Sequence, residues 1–185
     1  SMEHVLFFLF SFLEFAAGLA FVLALFRFDF VEYKTHILYS AFILTEISYL
    51  LRMGFDLEPI SLVVQMVSLI VMLILMYQFP IFSSIIIGTV GYILFGLLQM
   101  LIQVFLTFLT PLSLSDLYEM GYVIQTLTAA AGFIAAGLAR RMRIGVVFLP
   151  RQKNGRLHFD TENVLIFSIM VITVLTILTY SIFLF

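Results

Sequence analysis

The sequence contains no cysteine and no tryptophan, and it has only four prolines. Without cysteine the chain can have no disulfide, no thiolate metal ligand and no cysteine nucleophile. Charged residues make up 11% of the chain, whereas about 25% is usual in soluble globular domains. The chain therefore lacks the polar surface that a soluble domain needs.

The sequence is instead rich in apolar residues, which make up 63% of it. They occur in runs of roughly 18 to 28 residues, and a transmembrane helix needs about 20. These runs predict an all-α fold, a polytopic transmembrane helical bundle that forms a single domain over residues 2–185. The six predicted spans are 5–26, 37–53, 60–79, 81–109, 120–139 and 163–185.

Eight of the nine basic residues fall on one side of this predicted bundle, and only Arg52 falls on the other. The eight are Arg27, Lys34, Arg140, Arg141, Arg143, Arg151, Lys153 and Arg156. Because cytoplasmic loops of membrane proteins carry an excess of Lys and Arg, we expect a multi-pass protein of the cell membrane with both termini extracellular. The last six belong to a basic cytoplasmic loop over 140–162. We expect them to contact anionic lipid headgroups or an acidic partner, or else only to set the orientation.

The strongly polar side chains inside the predicted spans all fall in the outer half of the membrane. At 1.5 Å per residue, Glu14 lies about 13 Å and Glu46 about 10 Å below the outer surface. An acidic side chain in hydrocarbon costs on the order of 2.5–3.5 kcal/mol, so each needs a partner, water or a proton. The other polar residues of the outer half are Arg52, Gln65, Gln99, Gln103 and Gln125.

We expect these seven residues to line an outward-opening ligand pocket, because small-ligand sites combine apolar walls with a few polar groups. Gln99 and Gln103 are four residues apart and share one helix face. The alternative is interhelical hydrogen bonding that only holds the bundle together. Arg52 has three interpretations: snorkelling to headgroups, a pair with Asp56 or Glu58, and recognition of an anionic ligand group.

The residue combinations of hydrolytic enzymes and metal sites are missing from the sequence. No intramembrane serine has a Lys or His base, there is no HExxH motif, and all four aspartates lie in predicted loops. The three histidines fall in different segments. We therefore predict that the protein is not an enzyme, and that it uses no metal, no cofactor and no nucleic acid.

The predicted architecture resembles the membrane sensor domain of peptide-quorum-sensing kinases of the accessory-gene-regulator and competence type. The shared features are six to seven spans with short loops, an extracellular start and a basic fifth loop. Stand-alone six-span membrane proteins of Gram-positive bacteria are also similar. The resemblance implies an extracellular ligand and a cytoplasmic signalling partner, and it assigns no individual residue. Those kinases have a cytoplasmic catalytic domain, whereas the charge distribution here places Phe185 outside. Three alternatives would explain this difference. The chain is complete without a kinase, a seventh helix is missing, or the predicted topology is shifted by one span.

The leading hypothesis is a bacterial membrane sensor that binds an extracellular apolar, amphipathic or peptide ligand and passes a helix rearrangement to the basic loop. A small transporter or a transporter's substrate-binding subunit is the second hypothesis, with Glu14 and Glu46 coupling a proton or cation. A scaffold without ligand is the third. Polar residues confined to the outer half favour binding, because a transporter needs access from both sides. Small residues over 16–24 and 131–136 predict close helix packing, within the protomer or in a homodimer.

The distribution of basic residues predicts which loops a membrane-impermeant thiol reagent reaches from outside intact cells. Because the chain has no native cysteine, single-cysteine variants at Ser115 and Asn154 are labelled without background. We expect Ser115→Cys to react and Asn154→Cys to stay unlabelled until the cells are permeabilised. The reverse pattern would invert the assignment of the two membrane sides.

Overall fold

A computed structural model describes residues 2–55, 57–111, 116, 120–143 and 145, without the side chain of Glu58. All regular structure in this part of the chain is helical. The helices are α1 (Met2–Leu25), α2 (Lys34–Tyr49) with a following π-helical turn (Leu50–Gly54), α3 (Glu58–Leu75), α4 (Ile81–Leu109) and α5 (Gly121–Met142). The all-helical class is confirmed for the described residues.

Four of these helices are long and apolar enough to cross a membrane: α1, α2 together with its π-helical turn, α4 and α5. Between them, Pro59–Leu75 forms a shorter apolar helix. These four helices support a membrane-spanning protein. The predicted sixth span, 163–185, lies outside the described residues.

The third helix ends earlier than the sequence predicts, at Leu75 instead of residue 79. Gln78 adopts a left-handed backbone with φ 55°, which a continuing helix cannot include. Phe79 precedes Pro80, and the proline ring disfavours helical geometry in the residue before it. Phe79 instead donates its backbone N–H to the carbonyl of Leu73 at 3.1 Å. The chain therefore turns over five residues before α4 begins at Ile81.

Helix α1 ends in a Schellman motif. Arg27 has φ 58°, and its N–H donates to the Ala24 carbonyl at 3.0 Å, while the N–H of Phe28 donates to the Leu23 carbonyl at 2.9 Å. These bonds satisfy carbonyl groups that the end of a helix leaves without partners. They reverse the chain into the short connection to α2.

Consecutive helices run antiparallel, which defines two ends of the bundle. His4 at the start of α1 shares a 2.8 Å hydrogen bond with the Tyr49 hydroxyl at the end of α2, and we name this the Met2 end. Asp29, after α1, pairs with Arg140 in the last turn of α5, and we name this the Arg140 end. Helices α1 and α5 are therefore parallel, and α1 also contacts α2 and α4.

Small residues let α1 approach its neighbours closely. Ala16, Ala20 and Ala24 are buried. Gly132 of α5 lies where an added β-carbon would be 3.4 Å from the β-carbon of Ala17, so the small-residue segments of α1 and α5 meet inside the protomer. Close backbone approach of this kind is typical of membrane helix pairs.

An aromatic cluster closes the Arg140 end. The rings of Phe28 and Phe79 stack with centroids 4.6 Å apart, and those of Tyr33 and Tyr77 stack at 5.7 Å. Ser40 donates its hydroxyl hydrogen to the buried Tyr77 hydroxyl at 3.2 Å. The cluster joins the α1–α2 connection to the α3–α4 connection, which holds both at the same end of the bundle.

The contact of α4 with α1 at Gly91 predicts opposite effects for two glycine substitutions. A β-carbon at Gly91 would lie 2.5 Å from Cγ1 of Val22, whereas one at Gly96 would meet no atom within 4 Å. We expect Gly91→Ala to lower the free energy of unfolding by about 1–3 kcal/mol through overpacking. Gly96→Ala should be neutral or stabilising by up to about 1 kcal/mol, because alanine favours a helix.

The measurement is thermal unfolding of both purified variants in the same detergent. Equal stability of the two variants would show that α1 and α4 do not approach each other at Gly91.

Candidate ligand site at the Met2 end

Glu14 of α1 is the centre of a polar cluster inside the bundle. The side-chain amide of Gln99 on α4 donates to Glu14 Oε1 at 3.1 Å, and Gln125 on α5 also hydrogen-bonds the carboxylate. Hydrogen bonds to a charged group contribute about 1.5–3 kcal/mol each. One carboxylate therefore connects three helices.

The packing of α1 against α4 determines which residue faces Glu14. Val22 lies against Gly91, and Gly18 lies against the ring of Phe95. Glu14 and Val22 are eight positions apart in the sequence, and so are Gly91 and Gln99. Because the two helices are antiparallel, this spacing brings Gln99 to the level of Glu14.

Arg52 lies in the π-helical turn that follows α2, where the N–H of Phe55 donates to the Leu50 carbonyl at 2.9 Å. The guanidinium interacts electrostatically with Glu14 and with Tyr92 of α4. It forms no close ion pair with Glu14, since the one contact of this kind between two described residues joins Arg140 to Asp29. The Arg52 Nε atom is buried and has no hydrogen-bond partner among the described residues.

Gln65 of α3 completes the cluster. Tyr92 donates its hydroxyl hydrogen to Gln65 Oε1 at 3.1 Å. Gln65 is only 3% exposed, and its Nε2 atom has no partner in the described part of the chain. We name the set the polar cluster, and its members are Glu14, Arg52, Gln65, Tyr92, Gln99 and Gln125.

Two of the predicted pocket residues are not joined to the polar cluster by any interaction found between described residues. Glu46 is fully buried, and neither of its carboxylate oxygens has a hydrogen-bond partner among the described residues. Gln103 is half-buried, and its backbone carbonyl accepts a hydrogen bond from Thr107 at 2.9 Å. Asp56 and the side chain of Glu58, suggested as partners of Arg52, lie outside the described part of the chain.

The described basic residues of the 140–162 loop lie at the Arg140 end. Arg140 donates from Nε to Asp29 Oδ1 at 2.8 Å, and this bond lowers the pKa of the Asp29 carboxyl. Arg141 and Arg143 are exposed. Three further members of the loop lie outside the described residues: Arg151, Lys153 and Arg156.

Sequence reasoning missed Tyr92 as a member of the polar cluster. Tyr92 precedes Gln99 by seven residues, a spacing of about two helical turns that places both on one face of α4. This spacing was visible in the sequence, but it does not show which residue of another helix the Tyr92 hydroxyl faces. The pairing of Asp29 with Arg140 had no signal in the sequence, because 111 positions separate the two residues.

The polar cluster offers hydrogen-bond donors, a carboxylate and a guanidinium, which suit binding through hydrogen bonds and charge. No group of three or more His, Cys, Asp or Glu side chains that could hold a metal ion occurs among the described residues. No family model, no curated protein and no solved structure matches the chain.

The hydrogen bond between Gln99 and Glu14 predicts different effects for two neighbouring substitutions on α4. Gln99→Leu deprives a carboxylate within the bundle of a donor, and we expect it to lower the free energy of unfolding by about 1–3 kcal/mol. Gln103→Leu, one turn away, should change it by less than about 0.5 kcal/mol.

Chemical or thermal unfolding in detergent measures both variants side by side. A Gln99→Leu protein as stable as the Gln103→Leu protein would show that the hydrogen bond to Glu14 does not hold the bundle.

Proposed function

We propose that this chain is a multi-pass membrane sensor that binds an extracellular amphipathic ligand at the polar cluster. The observation that supports this most strongly is the convergence of six polar side chains from five helical segments in an otherwise apolar bundle. Polar groups in such a bundle are costly, and intramembrane ionisable residues are functional candidates by default. Two donors of the cluster lack partners among the described residues, so a pure scaffold explains the cluster less well.

The proposed orientation places the Met2 end outside the cell. This orientation rests on the eight basic residues that are predicted on the other side. The proposed topology has six spans, with both termini extracellular. A ligand then reaches the polar cluster from the outer leaflet or the external solution. The Arg140 end and the basic loop face the cytoplasm, where an acidic signalling partner or anionic lipid can bind them.

Helix α1 connects the two ends. Midway along α1, Glu14 is hydrogen-bonded to α4 and α5, and at the Arg140 end Asp29 pairs with Arg140 of α5. Because close-packed helices move as units by sliding or rotating, a shift of α1 against α5 at the polar cluster changes the geometry at Asp29 and Arg140. Arg140 is the first residue of the basic loop, so ligand binding changes the geometry at the start of that loop.

Transport is the second candidate function, and Glu46 is the observation that favours it. A fully buried carboxyl with neither oxygen hydrogen-bonded among the described residues suits reversible binding of a proton or a cation, as in coupled transporters. Under this alternative Glu46→Gln abolishes substrate uptake into proteoliposomes. Under the sensor proposal Glu46→Gln leaves ligand binding intact.

The test of the sensor proposal combines a binding reporter with a distance measurement. Tyr122→Trp gives the chain its only tryptophan, at a ring that stacks on Phe10 and lies near Gln125. Titration with laurate and other dodecyl amphiphiles in maltoside micelles should change its emission saturably. Spin labels at Thr35→Cys and Arg141→Cys, both exposed positions, should then report a ligand-dependent distance change at the Arg140 end.

Glu14→Gln is expected to abolish the distance change, because the neutral amide holds Gln99 and Gln125 more weakly than the carboxylate does. The control Gln103→Leu should keep it. Failure of every amphiphile to give a saturable signal would refute binding at the polar cluster. Saturable binding without any distance change would refute the signalling part of the proposal.

A further inference from the structure

The fully buried atoms of the polar cluster that lack partners among the described residues are both hydrogen-bond donors. They are Nε of Arg52 and Nε2 of Gln65, and both are buried. A buried donor without an acceptor costs about 1–3 kcal/mol, and more when the group is charged. Two acceptors of the cluster are engaged, since Glu14 Oε1 accepts from Gln99 and Gln65 Oε1 accepts from Tyr92, and neither is shown to accept from the two unpartnered donors. A molecule that completes this site must therefore bring acceptor oxygens.

Tyr92 interacts with both residues that carry these donors. It is hydrogen-bonded to the oxygen of the Gln65 amide and lies within electrostatic reach of Arg52. Gln65 is 3% exposed, so its amide is held inside the bundle, whereas Arg52 is half-buried and lies nearer the end of the bundle. A group entering from the Met2 end meets the guanidinium first and the amide second.

We infer that Arg52 and Gln65 form a subsite for an oxyanion, the carboxylate or phosphate head of an amphipathic molecule whose tail lies along the apolar helices. The inference rests on the proposed function and adds the chemical class of the ligand head. A guanidinium binds carboxylate and phosphate oxygens through charge-assisted hydrogen bonds, which are stronger than neutral ones. The amide of Gln65 supplies a further donor from another helix.

Glu14 is the acidic group that faces this subsite, and its charge does not prevent an oxyanion from binding. Its carboxylate accepts hydrogen bonds from Gln99 and Gln125, and it attracts Arg52 without a close ion pair. The Nε donor of Arg52 has no acceptor among the described residues, so it can donate to a ligand. Glu14 instead keeps Arg52 oriented towards the cluster.

The experiment compares dodecyl amphiphiles that differ only in the head group. The Tyr122→Trp protein is titrated in maltoside micelles, which contain no phosphate, with laurate, dodecyl phosphate, dodecanol and dodecyltrimethylammonium. We expect the two oxyanions to bind at least about tenfold more tightly than dodecanol, as the loss of one charge-assisted hydrogen bond implies. Arg52→Gln should remove this preference, and Gln65→Leu should reduce it several-fold.

Arg141→Gln, which removes an exposed charge at the other end, is the matched control and should leave the preference unchanged. An unchanged affinity of Arg52→Gln for dodecanol shows that this variant is folded. Addition of phosphatidylglycerol distinguishes two sources of the oxyanion. If the natural occupant is a membrane lipid, phosphatidylglycerol should lower the apparent affinity of the parent protein for laurate. If the occupant is a soluble amphipathic acid, the affinity for laurate should be the same with and without the lipid.

Two outcomes would overturn the inference in different ways. Saturable binding of dodecanol and laurate with equal affinity would remove the oxyanion subsite and leave the proposed ligand site standing. The absence of saturable binding by all four probes would remove the ligand site itself, and the oxyanion subsite with it.

Discussion

A carboxylate inside a bundle of apolar helices needs hydrogen-bond donors, and this need organises the Met2 end of the molecule. Glu14 finds donors on α4 and α5, at Gln99 and Gln125. Successive residues on a helix point about 100° apart, so a shift of α4 by one residue would turn Gln99 away from Glu14. The same register places Gly91 against Val22. Hydrogen bonding and close packing therefore select one alignment of these helices.

The small residues of α1 allow the helices to pack closely in this alignment. The close packing also makes the alignment sensitive to any displacement of α1. Ala16, Ala20 and Ala24 are buried, and Gly132 of α5 approaches Ala17 closely. Close-packed interiors transmit strain because they have little free volume to absorb it. Under the proposed function, a ligand that changes the position of Glu14 therefore moves α1 against its neighbours.

The polar groups at the two ends of the bundle take part in different interactions. At the Arg140 end the Tyr77 hydroxyl accepts from Ser40, stacked rings surround it, and Asp29 pairs with Arg140. At the Met2 end two buried donors of the polar cluster lack acceptors among the described residues. Unpaired buried donors are costly, so a ligand of the proposed site gains by supplying acceptors to these two.

The sequence by itself determined the all-helical membrane class and four helices to within a few residues, because apolar runs of about 20 residues have few other stable solutions. It also placed Glu14, Gln99 and Gln125 in the same half of the bundle, since the rise per residue is constant along a helix. Depth does not determine which helices are neighbours or how each is rotated. Only the tertiary structure bonded Tyr92 to Gln65 and paired Asp29 with Arg140, because those contacts depend on side-chain packing between helices. It also showed no interaction that joins Glu46 or Gln103 to the polar cluster among the described residues.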